Sequence, residues 1–367
     1  MITAITMPKW GLTMTEGKVV QWLKPEGASF AQGEELLEIE TSKITNVVEA
    51  DAAGTLTRIV APEGTTLPIG ALLAVIAPPE TPTSDIDAFV AQFVVAEPAD
   101  TATEEATAAA PREVQALGRT LRCLELGSGD AVPLLLLHGF GGDLNTWMFN
   151  QPAFCERRRT LALELPGHGL SSKDVGAGDA AFFTDVIEAA LDVERVHVVG
   201  HSMGGALAIA LAARLPERIA SVTLLAPAGL GPEINRDFIE TFMRASRRRE
   251  AVTALQLLVH DPSLIGRAMV EEFLRYKRLD GVVGALETIA HAWFPDGRQA
   301  VDLVASLRAL TMPVQVIWGR DDRIIPAAHA VAASSAQVHI LDGVGHLPHM
   351  EKAGEVNRLI RAMIGTG

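Results

Sequence analysis

A serine between glycines is the residue of this chain best suited to covalent chemistry. The sequence Gly-His-Ser-Met-Gly places Ser202 between Gly200 and Gly204, directly after the apolar run RVHVV and before the helical stretch ALAIALAARL. A sharp turn from a strand into a helix needs glycines around its central residue, because side chains there would collide, and it leaves the serine hydroxyl at a helix N-terminus. The pattern predicts that Ser202 is a nucleophile.

A serine hydroxyl is a weak nucleophile at neutral pH, so it needs a base and an acid that orients the base. Asp321 and Asp322 follow the apolar run PVQVIWG, and His346 lies after the last apolar run, in GVGHLPHMEK. The candidate residues therefore occur in the order serine, acid, histidine. This set predicts the attack of an activated serine on a carbonyl group.

The segments that must position these residues alternate between strands and helices. The apolar runs after Leu117 have the length of buried strands, and helical stretches separate them: VPLLLL, TLALEL, VHVVG, SVTLLA, VQVIWG and QVHIL. This alternation predicts a mainly parallel sheet with helices on both faces and with functional residues at the carboxyl ends of the strands. From about 231 to 308 helical sequence replaces the strand pattern, which predicts a cap over the site.

From about Gly118 to its end, the sequence resembles the α/β-hydrolase family. The resemblance is carried by the motif around Ser202, by HGFGG after an early strand and by LPGHGLS two elements before the serine. The family's Gly-x-x-Asp-x-x-x-Pro pattern runs here from Gly319 to Pro326. The resemblance therefore implies that Asp322, rather than its neighbour Asp321, is the orienting acid.

The same resemblance assigns the other roles. It implies that His346 is the base and that the backbone N–H groups of Phe140 and Met203 form an oxyanion hole. The remaining histidines of the family motifs are expected to shape loops rather than to react: His138, His168, His201 and His349.

The N-terminal part of the chain contains an internal repeat. GKVVQWLKPEGASFAQGEELLEI, from Gly17, aligns with GTLTRIVAPEGTTLPIGALLAVI, from Gly54, and the turn residues of the two copies coincide. Short alternating runs between glycine turns predict strands, and so short a repeat must pack against its copy to bury its apolar face. We expect a small all-β sandwich over residues 1–77. The sequence ETSKIT joins the copies, which predicts Lys43 at an exposed hairpin tip.

This N-terminal part resembles the lipoyl domains of the 2-oxo acid dehydrogenase and acetoin dehydrogenase complexes. The resemblance implies that lipoate is attached covalently to Lys43. Related biotin carriers place methionines on both sides of their lysine, whereas this chain has Ser42 and Ile44. Most lipoyl domains carry Asp-Lys-Ala at this point, so Ser-Lys-Ile departs from the commonest pattern.

Residues 78–116 are rich in Pro, Ala, Thr and Glu and predict a flexible linker to a second domain of residues 117–367. Within the linker, SDIDAFVAQFVV has apolar residues at helical spacing over 84–95, after an N-cap at Ser84. We expect a short amphipathic helix that docks either on the large domain or on a partner protein. A tether of this length spans roughly 25 to 35 Å, so the Lys43 arm could reach the active site of its own chain.

The composition argues against several classes of partner. The net charge of −14 and the pI near 5.2 argue against nucleic acid, and the short run from Arg247 to Arg249 is typical of a solvated helix face. Cys123 and Cys155 provide neither a disulfide framework nor metal-ligand spacing. The longest apolar run is too short to span a bilayer, and the N-terminus lacks a leader pattern. We therefore expect a cytoplasmic protein without metal, nucleic acid or membrane.

A lipoyl lysine and a serine nucleophile in one chain suggest that the substrate arrives on the lipoyl arm. The combination resembles the acetyltransferase subunits of acetoin dehydrogenase complexes, which fuse a lipoyl domain to an α/β-hydrolase-like domain. The resemblance implies acetyl transfer from S-acetyldihydrolipoyl-Lys43 to coenzyme A, for which basic cap residues near Arg247 are candidate ligands. It also implies thiamine-dependent acetoin-cleaving subunits and dihydrolipoyl dehydrogenase as partners, and it is compatible with a homo-oligomeric core.

Two other functions remain open from the sequence. A serine hydrolase that acts on an ester, thioester or carbon–carbon bond, and carries the lipoyl domain for complex association, would act on free substrates independently of Lys43. A carrier with a silent second domain would instead be independent of Ser202. The complete set of serine, acid and histidine argues against the silent domain.

Overall fold

The computed structural model describes residues 2–8, 16–41, 45–50, 52–78, 80–92 and 110–365. The chain divides into an N-terminal and a C-terminal compact unit. Among the described residues, no helix combines the length and the apolar character that crossing a membrane requires.

The described part of the N-terminal unit consists of two four-stranded antiparallel sheets and one helix. The first sheet has the order β1-β8-β6-β3 and the second has the order β5-β4-β2-β7. The elements are β1 (Thr3–Thr6), β2 (Glu16–Trp22), β3 (Ser29–Phe30), β4 (Glu35–Glu40), β5 (Thr45–Glu49), β6 (Gly54–Ile59), β7 (Thr66–Pro68), β8 (Leu72–Ile76) and α1 (Thr83–Gln92).

The internal repeat corresponds to a structural repeat. The first copy forms β2, β3 and β4, and the second copy forms β6, β7 and β8 at equivalent positions. The turn residues Gly27 and Gly64 have φ values of 87° and 83°, a region that glycine enters without strain. The buried core draws on both copies, with Val19, Leu36 and Ile39 from the first and Leu56 and Leu73 from the second, among others. The predicted all-β sandwich is therefore confirmed.

Helix α1 packs against the N-terminal unit itself. Its residue Ile86 is buried in a small cluster with Leu72 of the first sheet, and Asp87 forms an ion pair with Arg58. The described part of α1 therefore packs on the sheet of its own unit, a place that neither expectation named. The physical reason is that the apolar face of α1 covers side chains on the outer surface of the first sheet. The last two predicted apolar positions, Phe93 and Val94, lie outside the described residues.

The C-terminal unit is built on an eight-stranded sheet with the order β16-β15-β14-β13-β11-β12-β10-β9. The pairs from β16 to β12 are parallel, and β10 and β9 are added antiparallel at one edge. The strands are β9 (Arg112–Ala116), β10 (Arg119–Leu126), β11 (Ala131–Leu137), β12 (Arg158–Glu164), β13 (Val196–His201), β14 (Ile219–Leu225), β15 (Val314–Gly319) and β16 (Gln337–Leu341).

The sheet begins earlier than the sequence suggested. The predicted linker extended to residue 116, but Arg112–Ala116 forms the edge strand β9. Its backbone pairs with β10 from Arg119 to Cys123, and this pairing holds the segment in the sheet. A charged and polar sequence such as REVQA is compatible with an edge strand, because one side of it faces solvent.

Helices pack on the sheet and also form the insertion predicted as a cap. Helices α2, α3 and α10 contact the strands, and α4 to α8 occupy the segment between β14 and β15. The helices are α2 (Ala180–Ala190), α3 (Met203–Arg214), α4 (Arg236–Arg244), α5 (Arg248–Gln256), α6 (Arg267–Lys277), α7 (Val282–Trp293), α8 (Val304–Ala309), α9 (Pro348–Glu351) and α10 (Ala353–Ile364). The predicted α/β architecture with a helical insertion is confirmed.

Candidate active site

Ser202 occupies the sharp turn between β13 and α3. Its backbone has φ 52° and ψ −116°, a strained combination for a residue with a side chain. A Cβ atom on Gly200 would lie 2.2 Å from the carbonyl O of Gly204, and one on Gly204 would lie 2.1 Å from the carbonyl O of Leu137. The glycines are therefore required for the close approach that the sequence pattern predicted.

Backbone hydrogen bonds hold the Ser202 turn in this conformation. The N–H of Ser202 donates to the carbonyl of Leu225 at 2.9 Å. The carbonyl of Ser202 accepts from Gly205 at 2.9 Å and from Ala228 at 3.0 Å. These bonds connect the turn to the end of β14 and to the first turn of α3, and they maintain the strained dihedral angles.

Asp322 and His346 form a buried hydrogen-bonded pair. His346 Nδ1 lies 2.7 Å from Asp322 Oδ2, and the two side chains are only 3% and 0% exposed. Asp322 Oδ2 also accepts from Trp318 Nε1 at 2.9 Å, while Oδ1 accepts from the N–H groups of Ile324 and Ile325 at 2.8 and 3.0 Å. With the Nδ1 proton directed at Asp322, the Nε2 atom of neutral His346 is available to accept a proton.

The loops that carry Ser202 and His346 are bonded to each other. His201, next to Ser202, donates from Nε2 to the carbonyl of His346 at 2.9 Å, since a carbonyl can only accept. The rings of His201 and His346 lie 4.9 Å apart. The structure thus brings the loop of the predicted nucleophile to the predicted pair of base and acid.

The loop after β11 packs against the same turn. A Cβ atom on Gly139 would lie 3.0 Å from Ser202 Cβ, so the residue before Phe140 touches the candidate nucleophile. His138 supports this loop, because its Nε2 accepts from the N–H of Leu165 at 3.0 Å and its Nδ1 donates to the carbonyl of Gly139 at 2.8 Å. Met203 is the first residue of α3, where backbone N–H groups have no partner within the helix. Met203 thus follows Ser202 directly at the start of α3, and Phe140 follows the residue that approaches Ser202 from the other loop.

Phenylalanines of the helical insertion pack over the loop after β11. The ring of Phe140 lies 5.5 Å from that of Phe242 on α4 and 5.7 Å from that of Phe294. Gly141 has φ 73°, and a Cβ atom there would lie 2.2 Å from Phe242 Cζ. The insertion therefore contacts the loop directly, through apolar groups that cover part of it.

Histidines around the site are held neutral by burial. Burial holds the pKa of His201 and of His168 well below the ordinary value and lowers the pKa of His138. Burial, reinforced by the neighbouring His346, lowers the pKa of His349 to about 3. His349 lies in α9, with its ring 5.1 Å from Trp147 and 4.6 Å from His201. These contacts are those of packing and loop-shaping residues at neutral pH.

The choice between adjacent carboxylates is decided by their contacts. Asp321 Oδ2 accepts from the N–H of Gly343 at 3.1 Å and lies 3.2 Å from His260 Nδ1, and its side chain is 43% exposed. It makes none of the contacts that Asp322 makes with His346. The structure thus pairs His346 with Asp322, the residue that the family pattern selected.

Two supporting side chains were absent from the sequence analysis. Trp318 was interpreted only as part of a strand, but its Nε1 bonds to Asp322. The carboxylate of Glu351 accepts from the N–H groups of Gly345 and Leu347, at 2.9 and 3.2 Å, and so holds the loop on both sides of His346. Neither Trp318 nor Glu351 belongs to a motif that spacing could identify. The only indication of their roles in the sequence is that they lie within a few residues of Asp322 and His346.

Lys43 lies outside the described residues. The strands before and after it, β4 and β5, are antiparallel neighbours, and Glu40 pairs with Thr45. This pairing matches the hairpin that the sequence predicted. Across the residues that the structure describes, no group of three or more candidate ligands is arranged to hold a metal ion.

The fold and the site together define a carrier-type β-sandwich fused to an enzyme of the α/β-hydrolase type. Residues 132–353 match the family described as alpha/beta hydrolase fold, and residues 3–76 match the family described as biotin-requiring enzyme. A meta-cleavage product hydrolase from Pseudomonas fluorescens IP01 has the same fold as the second part. That likeness has a TM-score of 0.63 at 23% identity and covers 69% of this chain and 96% of the other.

Two relatives match almost the whole chain. One, from Pseudomonas putida, is a dihydrolipoyllysine-residue acetyltransferase component of acetoin cleaving system, with 44% identity over 99% of this chain and 98% of the relative. The other, from Cupriavidus necator, has the same name, with 43% identity over the same shares. The chain belongs to this family of acyltransferases, whose second domain has the α/β-hydrolase fold.

Proposed function

We propose that this chain transfers an acetyl group from S-acetyldihydrolipoyl-Lys43 to coenzyme A as a component of an acetoin cleaving system. One observation carries the catalytic part of the proposal. His346 forms a buried hydrogen bond with Asp322, and the loop of His346 is also bonded to His201, the residue before Ser202. The same chain has a lipoyl-type domain. A thioester delivered on a covalent arm is a chemically suitable substrate for an activated serine.

In the first half-reaction, Ser202 Oγ attacks the carbonyl carbon of the acetyl thioester. The hydroxyl proton passes to His346 Nε2, and Asp322 stabilises the resulting imidazolium while it holds the ring in place. The N–H groups of Phe140 and Met203 donate to the oxyanion that forms. Such a donor typically contributes a factor of about a hundred to a thousand in rate. The C–S bond then breaks, His346 returns the proton to sulfur, and Ser202 carries the acetyl group.

The second half-reaction reverses this sequence with another thiol. The thiol of coenzyme A gives its proton to His346 Nε2 and attacks the acetyl-Ser202 carbonyl. Collapse of the tetrahedral intermediate breaks the C–O bond, and His346 returns the proton to Ser202. One thioester is exchanged for another, so no oxidant or reductant is needed. The apolar contacts between Phe140, Phe242 and Phe294 favour transfer by keeping water from the loop.

The proposed reaction implies partners before and after it. Thiamine-dependent acetoin-cleaving subunits would acetylate the lipoyl group, and dihydrolipoyl dehydrogenase would reoxidise the dithiol that transfer leaves behind. We place this system in the cytoplasm, in keeping with the expectation from the sequence. Because the lipoyl arm is tethered to the same chain, it presents the acetyl group at a high effective concentration. This concentration is about millimolar for short linkers.

The proposal is tested by loading and chasing the full-length protein. The protein is produced with lipoate, checked by intact mass, reduced, acetylated on the lipoyl group and then mixed with coenzyme A. The wild type should form acetyl-CoA. Lys43→Arg should lack the lipoyl mass and form none, while Ser202→Ala should carry the acetylated lipoyl group and fail to release it. Lys18→Arg, in the same domain, and Ser334→Ala, an exposed serine, serve as matched controls.

A second candidate function is hydrolysis of the acyl group. It is favoured by a relative from Cupriavidus pinatubonensis, a 2-hydroxy-6-oxononadienedioate/2-hydroxy-6-oxononatrienedioate hydrolase, with 30% identity over 67% of this chain and 90% of the relative. The same experiment separates the two functions. Loss of the acetyl group to water at the same rate with and without coenzyme A would establish the hydrolase and contradict the transferase.

A further inference from the structure

Three consecutive arginines lie exposed on the helical insertion with no described carboxylate within ion-pair distance, although Glu250 interacts electrostatically with Arg247. Arg247, Arg248 and Arg249 are exposed, and none of them forms an ion pair with a carboxylate among the described residues. Two other arginines of the insertion are paired, Arg236 with Glu240 and Arg275 with Glu272. The chain has 45 acidic and 31 basic residues, so the cluster is a local excess of positive charge on an acidic protein. We call these three residues the arginine cluster.

The placement of the cluster is electrostatically unfavourable for the helix itself. Arg248 and Arg249 lie in the first turn of α5, where the helix dipole repels positive charge. Glu250 is the acidic residue of this turn, but its Oε2 accepts from the backbone N–H groups of Ser246 and Arg247, at 2.9 and 3.2 Å. The guanidinium groups therefore remain available to an anion from outside. A local arrangement that disfavours its own helix indicates a role other than stability.

The cluster follows Phe242 closely in sequence, and Phe242 packs on the loop after β11. Phe242 packs on Phe140 and Gly141, and Arg247 follows five residues later, so the Cα atoms of Phe242 and Arg247 are at most about 18 Å apart. Lys277 of α6 ties this region down, because its Nζ donates to the carbonyls of Phe242 and Met243 at 3.2 and 3.0 Å. The segment just before the cluster is thus fixed to the part of the insertion that contacts the loop after β11.

The positive charge of the cluster fits one class of acceptor. Coenzyme A carries a diphosphate and a ribose phosphate, joined to its thiol by a pantetheine arm that extends about 15 Å. The planar guanidinium group binds phosphate oxygens in pairs, which makes arginine well suited to such groups. We infer that the arginine cluster binds the phosphates of coenzyme A while its thiol reaches acetyl-Ser202. This inference rests on the proposed acetyl transfer to coenzyme A.

The N-terminal domain is another anionic surface that could bind the cluster. Residues 1–92 contain twelve acidic and five basic residues. Binding of this domain would affect the delivery of the acetyl group, whereas binding of coenzyme A affects its removal. The two occupants therefore differ in which kinetic constant they change.

The test replaces all three side chains in the full-length, lipoylated protein. For Arg247→Ala/Arg248→Ala/Arg249→Ala, we expect the KM for coenzyme A to rise about thirtyfold, because an exposed charged contact contributes about threefold. The kcat at saturating coenzyme A should stay within about twofold, and transfer to pantetheine, which has no phosphate, should be unchanged. Arg275→Ala, in which the paired arginine is removed, is the matched control and should leave every constant unchanged.

Dephospho-coenzyme A and inorganic phosphate separate the contributions of the phosphates. The triple variant should discriminate less between coenzyme A and dephospho-coenzyme A, and phosphate should compete with coenzyme A only in the wild type. An unchanged KM for coenzyme A would overturn the inference. So would an equal loss with pantetheine, or a slower delivery of the acetyl group with unchanged coenzyme A binding, which would assign the cluster to the acidic domain.

Direct binding separates failure of the inference from failure of the proposed function. Calorimetric titration of Ser202→Ala with coenzyme A measures affinity without turnover, and adding the three arginine substitutions should weaken that affinity about thirtyfold. If this weakening occurs while the wild type transfers no acetyl group to coenzyme A, the cluster is a coenzyme A site and the proposed reaction is wrong. If transfer occurs and the affinity is unchanged, the inference is wrong and the reaction stands.

Discussion

Replacement of Asp322 by asparagine tests the reasoning about the site most directly. The two carboxylate oxygens of Asp322 have different partners. Oδ1 accepts from the backbone N–H groups of Ile324 and Ile325, and Oδ2 accepts from Trp318 Nε1 and His346 Nδ1, all at 2.7 to 3.0 Å. An asparagine has one oxygen and one NH2 group, so it can satisfy only one of these two pairs of donors.

The backbone donors decide the orientation of the asparagine. Their N–H groups cannot change, so the amide oxygen should take the Oδ1 position and the NH2 group should face His346 and Trp318. His346 can accept from this NH2 group only if its own proton moves to Nε2, which removes the base from the reacting side of the ring. We therefore expect kcat to fall about ten-thousandfold, which corresponds to about 5.4 kcal/mol. Trp318 Nε1 should lose its bond to residue 322 and keep its 3.2 Å bond to the carbonyl of Ile325, so the free energy of unfolding should fall by only about 1 kcal/mol.

The assay for this prediction is single-turnover acetyl transfer from the acetylated lipoyl domain to coenzyme A, with urea unfolding measured on the same preparations. Asp321→Asn is the matched control, since Asp321 bonds to Gly343 rather than to His346, and it should retain activity within about twofold. A kcat for Asp322→Asn within about tenfold of the wild type would refute the proposed role of the pair. A large loss in Asp321→Asn alone would transfer that role to the neighbouring residue.

Three further perturbations test other parts of the structure. Gly141→Ala should reduce the free energy of unfolding by more than Gly343→Ala does. Both residues have positive φ, which costs an alanine about 1 to 2 kcal/mol, but only a Cβ at Gly141 also collides with Phe242. Equal losses of stability in urea titrations of the two variants would contradict this contact. His349 has a pKa of about 3 in the folded protein and about 6.5 when unfolded, so the unfolded state binds more protons between these values and stability falls as the pH drops through this window. His349→Phe should remove up to about 1.4 kcal/mol per pH unit of this slope in titrations from pH 7 to 5, and an unchanged slope would argue against a neutral buried ring. Ile86→Ala should lower the local stability of α1 by about 2 kcal/mol and speed amide hydrogen exchange over residues 83–92, whereas unchanged exchange would show that the Leu72 cluster does not hold the helix.

Local sequence was sufficient where a feature depends on neighbours along the chain. The glycines around Ser202 predict its turn, because the collisions that exclude side chains there occur within one turn of chain. The repeat of residues 17–39 at 54–76 predicts the two-fold sandwich, because each copy exposes an apolar face that only its partner can cover. The order of serine, acid and histidine, together with the strand pattern, placed Ser202 after β13, the adjacent Asp321 and Asp322 after β15, and His346 after β16, while the resemblance to the α/β-hydrolase family implied Asp322.

Other features depend on contacts between segments that are distant in sequence, so the sequence could not specify them. Trp318 and Glu351 support Asp322 and the His346 loop through hydrogen bonds that no periodicity encodes. The strand Arg112–Ala116 has a polar composition and belongs to the sheet only because β10 pairs with it. Helix α1 was predicted from its spacing, but its docking surface depends on which apolar patch the folded sheet leaves uncovered.

The amino-acid sequence by itself specified the two kinds of domain, the sharp turn at Ser202 and the candidate acids and histidine. These features follow from steric collisions between neighbouring residues and from the spacing of apolar residues. Tertiary structure decided which of two adjacent carboxylates meets His346 and which surface receives α1. It also decided which phenylalanines cover the loop after β11. These outcomes depend on the distance between side chains that are far apart in sequence, and only the packed fold sets that distance.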